Sequence, residues 1–303
     1  MIPISMLREA AGRAAPHVLR TPIVPLGCNR WLKLECLQPT GSFKVRGFFA
    51  EALGRRRSQL AAGLITVSAG NAALACAHVA AQLGVPCRVV MFDTAPAPKL
   101  DGVRRLGGEP LLKSRPELLA WMAERGWEKE PETFIHPFAD PGVAAGHGGI
   151  GIELLEDLPN LERVLVPVGG GGLMMGIASA LKQLRPEVEV IGVQSDGYRS
   201  WPASIEADRP ASLTPATIAD GTSAPIDPGM FDRLPALVDR WLVVPEPRLR
   251  AAIPELAAAG RVVAEGAGAL AFAALEQLDA GPVTAAIVSG GNIGPNLLAE
   301  LLA

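Results

Sequence analysis

Four consecutive glycines separate an apolar run from a helical one in Val168-Gly169-Gly170-Gly171-Gly172-Leu173. Backbone N–H groups without side chains beside them are free to surround an anion, and the following helix end adds a favourable dipole. The chemistry this suits is phosphate binding. The pattern lacks the Lys-Ser/Thr of a nucleotide P-loop and the spaced glycines of a dinucleotide fold. A flexible turn is the plain alternative, but contiguous glycine is entropically costly for a mere connection. A second stretch, Leu34–Gly47, carries Lys44 beside Phe43 and after the turn Pro39-Thr40-Gly41. Alone, Lys44 reads as a solvated surface charge. Buried next to a phosphate site, it would have a lowered pKa and could form a Schiff base with an aldehyde. The third stretch is Ser68-Ala69-Gly70-Asn71. Its N–H groups and the Ser68 hydroxyl could hold a carboxylate, and Asn71 could donate to a phenolate oxygen. Ser and Asn are also ordinary helix caps. In the fourth, Ser289-Gly290-Gly291-Asn292, a hydroxyl could pair with a ring nitrogen, or the segment could simply end a strand. Each is ambiguous singly. Together they specify a guest with a phosphate, an aldehyde, a phenolate oxygen and a ring nitrogen.

The elements that must hold these residues alternate between short apolar strands and longer helices. Strands are expected at Leu64–Val67, Cys87–Met91, Phe134–Ile135, Val164–Val168, Val188–Val193, Leu242–Val244 and Val283–Val288. Helices are expected at Ala72–Leu83, Pro98–Leu106, Ile150–Leu158, Leu173–Leu184, Pro254–Ala259 and Ala267–Leu278. Buried strands alternating with helices imply an α/β fold with mostly parallel sheet covered on both faces. Ligands of such sheets bind beyond the carboxyl ends of the strands, where every glycine-rich segment above lies. Glu206–Gly229 reads as a long loop over a site.

Bulk properties narrow the classes. The 303 residues suggest two lobes, and 49% hydrophobic content supports a sizeable core. With 28 basic against 31 acidic residues, the net charge of −3 argues against nucleic acid or a membrane surface as partner. The start carries Arg8 and Glu9 where an apolar signal core would run, so no cleavable signal is expected. The uncharged run Val164–Leu181 contains Pro167 and the tetraglycine, which would break a membrane helix. The four cysteines show neither CxxC nor metal-ligand spacing, so reduced thiols in the cytoplasm are expected.

QPTGSFKVRG, SAGN, HPFADPGVAAG, VPVGGGGL, IADG, EGAGALAFAAL and SGGN stand in the order seen in fold type II pyridoxal-phosphate enzymes. From about Thr21 to Ile293 the chain resembles the serine/threonine dehydratase family; SFKVRG separates it from the cysteine synthases. The resemblance implies a tryptophan-synthase-β-like fold of two lobes, each a mostly parallel twisted sheet flanked by helices. A small lobe over residues 39–140 would be inserted in a large one made of 1–38 and 141–303. It implies pyridoxal 5′-phosphate as cofactor, with Lys44 as its Schiff-base lysine and Phe43 packed nearby. Asn71 would bond the phenolate oxygen, Gly169, Gly170, Gly171, Gly172 and Leu173 would hold the phosphate, and Ser289 would face the pyridine nitrogen. Substrate would meet Ser68, Ala69, Gly70, Asn71 and Ala72. The implied activity is a lyase that turns an L-β-hydroxy amino acid, such as threonine or serine, into a 2-oxo acid and ammonia. A homodimer is usual in the family. The chain ends soon after SGGN, so the regulatory domain of long biosynthetic threonine dehydratases is expected to be absent.

Three positions depart from the pattern. Family members read SAGNH where Ala72 follows Asn71, which leaves that corner of the substrate site open. Serine racemases carry a serine where Ala69 stands, and a methyl group cannot exchange a proton, so racemisation is disfavoured. Racemases also hold a divalent cation through two carboxylates where this chain has Gln194 and Ser200, so no metal site is expected. Glu265, His136 and His147 read as structural, Arg46 as an anchor of the Lys44 segment, and Asp220 as a shaper of the loop over the ring. The rival readings are a lyase for 3-hydroxyaspartate or phenylserine, a serine-racemase-like isomerase, and a non-catalytic carrier of the cofactor.

Overall fold

Arg163–Pro167 is buried at every position, and so is Thr284–Ile287. Such runs have no solvent face, so they settle in the interior of a parallel sheet. In the computed structural model, which describes residues 1–303, ten strands numbered in chain order form two sheets. The larger has the spatial order β1 (Ile23–Gly27), β2 (Arg30–Lys33), β10 (Thr284–Ile287), β7 (Arg163–Pro167), β8 (Glu189–Ser195) and β9 (Arg240–Val244). The smaller runs β5 (Glu109–Lys113), β4 (Cys87–Phe92), β3 (Leu64–Val67) and β6 (Thr133–Phe134). All pairings are parallel except β1 with β2. That hairpin turns through Gly27, Cys28 and Asn29, all at positive φ.

Several elements lie outside the expected set. The β1–β2 hairpin contains Pro25 and is too short for a clear alternation. β5 and the helices Ile4–Ala14, Lys44–Gly54, Arg115–Ala123, Ser200–Glu206 and Pro295–Leu302 were also not anticipated. Helix Glu246–Gly260 starts well before Pro254, which sits inside it rather than at its beginning.

The largest departure is helix Pro141–Asp157, expected only from Ile150. Its first half holds Gly142, Gly146, Gly148 and Gly149, poor helix formers that tertiary packing overrides. The absence of side chains lets other helices touch its backbone. A Cβ on Gly146 would lie 2.7 Å from Arg46 O, and one on Gly176 would lie 2.3 Å from Ala144 O. The glycine helix is therefore pressed between helix Lys44–Gly54 and helix Gly172–Leu184, the two elements that begin at Lys44 and at the tetraglycine.

The uncharged run Val164–Leu181 divides into β7, the glycine loop and a helix, and no helix is long and apolar enough to cross a membrane. All four cysteines are free thiols, three of them buried.

Candidate active site

Lys44 stands at the first position of its helix, after a backbone that turns at Gly41 with φ +73°. Two contacts tie this segment to the end of β10: Phe43 N donates to Ser289 O at 3.0 Å, and Ser42 bridges Gly290. The ammonium of Lys44 donates to Pro137 O at 2.7 Å and sits 5.1 Å from the centre of the Phe43 ring. Burial disfavours its charged form and pushes the pKa down to about 8, with the Glu265 carboxylate pulling weakly the other way. Arg46, two residues on, donates to Glu35 and to Glu153 and also to Leu19 O, which locks the start of the helix in place.

Pro137 and Phe138 join Lys44 to the glycine loop. A Cβ on Gly170 would lie 2.4 Å from the Phe138 ring, and one on Gly172 would lie 2.6 Å from Phe138 O. A Cβ on Gly169 would lie 2.9 Å from Thr222 Cα. Gly171 adopts φ +96°, a conformation that favours glycine. The loop is thus glycine because its neighbours leave no room for anything else. The N–H groups of Gly169, Gly170 and Gly171 donate to no acceptor in the protein. The Pro137–Phe138 turn that meets the loop is held by His136, whose Nδ1 accepts from Phe138 N and Ala139 N. Burial drives the His136 pKa down to about 4, so the ring is neutral and able to accept.

Asn71 opens helix Asn71–Leu83. Its Nδ2 donates to Glu265 Oε1 at 2.6 Å, and its Oδ1 accepts from Asn292 Nδ2 at 2.7 Å. This pair of bonds fixes the amide so that one further N–H remains on Nδ2. Glu265 is buried, and desolvation raises its pKa to about 7. A Cβ on Gly290 would lie 2.3 Å from Glu265 Oε1, so the glycine after Ser289 makes space for the carboxylate. Ser289 is buried, its Oγ 3.4 Å from Ala267 O. Ser68 Oγ accepts from Gly70 N, which leaves its own O–H free to donate. Ser68, Ala69 and Gly70 retain exposure, while Ala72 is buried in the main core at 3% exposure.

The segment between residues 206 and 229 is largely irregular and reaches the site through Gly221 and Thr222. Asp220 pairs with Lys99 of the other sheet's helix Ala97–Arg105 at 3.0 Å. The segments around residues 43, 71, 137, 170, 222, 265 and 289 close a ring of contacts. They fit a flat aldehyde with a phosphate at one end: an amine of lowered pKa, a cradle of unaccepted N–H groups, an amide and a buried hydroxyl. The buried hydroxyls of Thr40 and Ser42, close by, also find no partner within the protein.

Sequence reasoning missed Pro137, Phe138 and Thr222. The first acts through its carbonyl and the other two through shape, so residue type offered no signal. Gln194 and Ser200, read as missing carboxylates, are engaged with each other: Gln194 Nε2 donates to Ser200 Oγ at 3.1 Å and to Val168 O at 2.9 Å.

Residues 14–290 match the family described as pyridoxal-phosphate dependent enzyme. The chain is 41% identical to an L-threonine ammonia-lyase of Thermotoga maritima, over 100% of this chain and 78% of that protein. It superimposes on the structure of maize serine racemase with a TM-score of 0.91 at 30% identity, covering 98% of this chain and 95% of that one. A processed threonine deaminase isoform 2 from Solanum lycopersicum gives a TM-score of 0.89 at 31% identity, covering 98% and 91%.

Proposed function

The chain belongs to the pyridoxal-phosphate dependent enzyme family, and we propose that it is an ammonia-lyase converting L-threonine or L-serine to a 2-oxo acid and ammonia. The observation that carries this reading is the Lys44 amine, lowered to a pKa of about 8 and held one dipeptide away from the unaccepted N–H groups of the glycine loop. The cofactor, when bound, supplies an electron sink for charge developing at the substrate α-carbon. Lys44 would hold its aldehyde carbon, Gly169 to Gly172 its phosphate, Asn71 its phenolate oxygen and Ser289 its ring nitrogen.

Near neutral pH about a tenth of a free amine with a pKa near 8 is unprotonated, and that fraction is the base for the substrate α-proton. Ser289 offers a hydroxyl rather than a carboxylate, so it does not favour a charged ring nitrogen. The Ser68–Asn71 turn receives the substrate carboxylate. We read the two sheets as the lobes of the resemblance, with residues 39–140 forming the smaller, and the Lys99–Asp220 pair as a link between them over the site.

The similarity to a serine racemase supports a second reading, isomerisation. Against it stands Ala69, whose methyl group can neither give nor take a proton where the racemases of the resemblance carry a serine. The test is release of 2-oxo acid from L-threonine, L-serine, 3-hydroxyaspartate and phenylserine, with chiral chromatography in parallel. The lyase reading expects a 2-oxo acid with little D-isomer. D-serine as the main product, or no 2-oxo acid from any of the four, would overturn it.

A further inference from the structure

The carbonyls of the glycine loop decide where its N–H groups point. In a trans peptide the C=O of one residue and the N–H of the next share a plane and face opposite ways. Val168 O accepts from Gln194 Nε2 at 2.9 Å, and Gly169 O accepts from Trp201 Nε1 at 2.7 Å. These two bonds pin two successive peptide planes, so the N–H groups of Gly169 and Gly170 face away from the pins. Glycine would otherwise let either plane rotate, because no Cβ restricts its backbone.

Both pins are themselves immobilised. Gln194 is fully buried on β8, and its Oε1 accepts from Trp201 N at 2.8 Å. Trp201 is fully buried, its ring stacked on Trp241 at 5.6 Å and near Phe231 at 6.3 Å. Gly192 admits the Trp241 ring, since a Cβ there would lie 2.6 Å from it. Behind the loop, then, stands a wall of fixed donors.

We infer that Gln194 and Trp201 are positioning residues for the phosphate group, aiming the N–H groups of Gly169 and Gly170 at it without touching it. The inference rests on the reading that the tetraglycine holds the cofactor's phosphate. Two probes separate the failure of one from the failure of the other: pyridoxal phosphate and pyridoxal, titrated spectroscopically into the cofactor-stripped full chain. The native chain should bind the phosphorylated probe far more tightly; equal binding would remove the phosphate reading and this inference with it. Trp201→Phe keeps an aromatic ring in the stack but deletes the donor. It should weaken pyridoxal phosphate about three- to tenfold, the scale of one net hydrogen bond, and leave pyridoxal unchanged. If the variant lowers both affinities alike, or neither, the two residues merely support the fold and the inference is wrong. Should Trp201→Phe not fold, Gln194→Met provides the same comparison through Val168 O.

Discussion

Gly176→Ala is the most exacting test of how the site is held together. Its new Cβ would lie 2.3 Å from Ala144 O and 2.7 Å from Gly148 N, both backbone atoms that cannot rotate aside. Bringing 2.3 Å out to an ordinary 3.4 Å contact requires helix Gly172–Leu184 to part from helix Pro141–Asp157 by about 1.1 Å. Overpacking of this kind costs about 3 kcal/mol, and the better helix propensity of alanine returns about 1 kcal/mol. The net loss of about 2 kcal/mol should lower Tm by about 3 °C in a chain of this size. Gly12→Ala is the control, because nothing lies within 4 Å of its Cβ in helix Ile4–Ala14. It should gain about 0.5–1 kcal/mol. Activity should divide the two more sharply. The displaced helix begins at the glycine loop, and a 1 Å misplacement there can cost about a hundredfold in rate. Thermal unfolding and initial rates of 2-oxo acid release measure both effects. If Gly176→Ala matched the native chain in Tm and rate, the backbone contact would not be holding the site.

Lys44→Ala should abolish 2-oxo acid release and the visible absorbance of the cofactor-loaded protein. Borohydride reduction followed by peptide mapping should find the label on Lys44. A label on Lys33, which is buried and paired with Glu153, or on Lys99 would sink the assignment. Ala69→Ser should raise D-isomer formation relative to elimination, read by chiral chromatography with pyruvate measured in parallel; an unchanged ratio would count against Ala69 as the reason for the reaction choice. His136 should make stability pH-dependent. Its folded pKa of about 4 lies below the ordinary 6.5, so the unfolded chain binds the extra proton first and stability falls as pH drops from 6.5 towards 4. His136→Asn keeps an acceptor but does not titrate, so the Tm advantage of the native chain over this variant should shrink across that window; a constant difference would mean that His136 is not buried neutral.

The legible parts of the sequence were those whose residue type is itself the signal. Contiguous glycine after the apolar run Val164–Val168 marked the passage from β7 into a helix, and β3 and β10 were plain as apolar stretches broken only by Thr66 and Thr284. Lys44 was different: only the ordered set of motifs around it separated it from a surface charge. Helix Pro141–Asp157 was half hidden because its glycines argue against a helix, and only the contacts they permit explain it. Pro137 works through a carbonyl that every residue possesses. Trp201 donates to a glycine 32 positions earlier, a link that no local spacing reveals.

The position of β10 in its sheet carries a consequence for how the protein is made. It lies between β2 and β7, yet it follows both in sequence, β7 by more than a hundred residues. During synthesis at about 5–20 residues per second, β2 and β7 wait on the order of ten seconds with their facing edges open. Open apolar edges invite pairing with other chains, so this interval is when the nascent protein is most exposed to aggregation. Because β10 also leads into Ser289, whose carbonyl accepts from Phe43 N, the same delay postpones the tie between the Lys44 segment and the larger sheet until its central seam has closed.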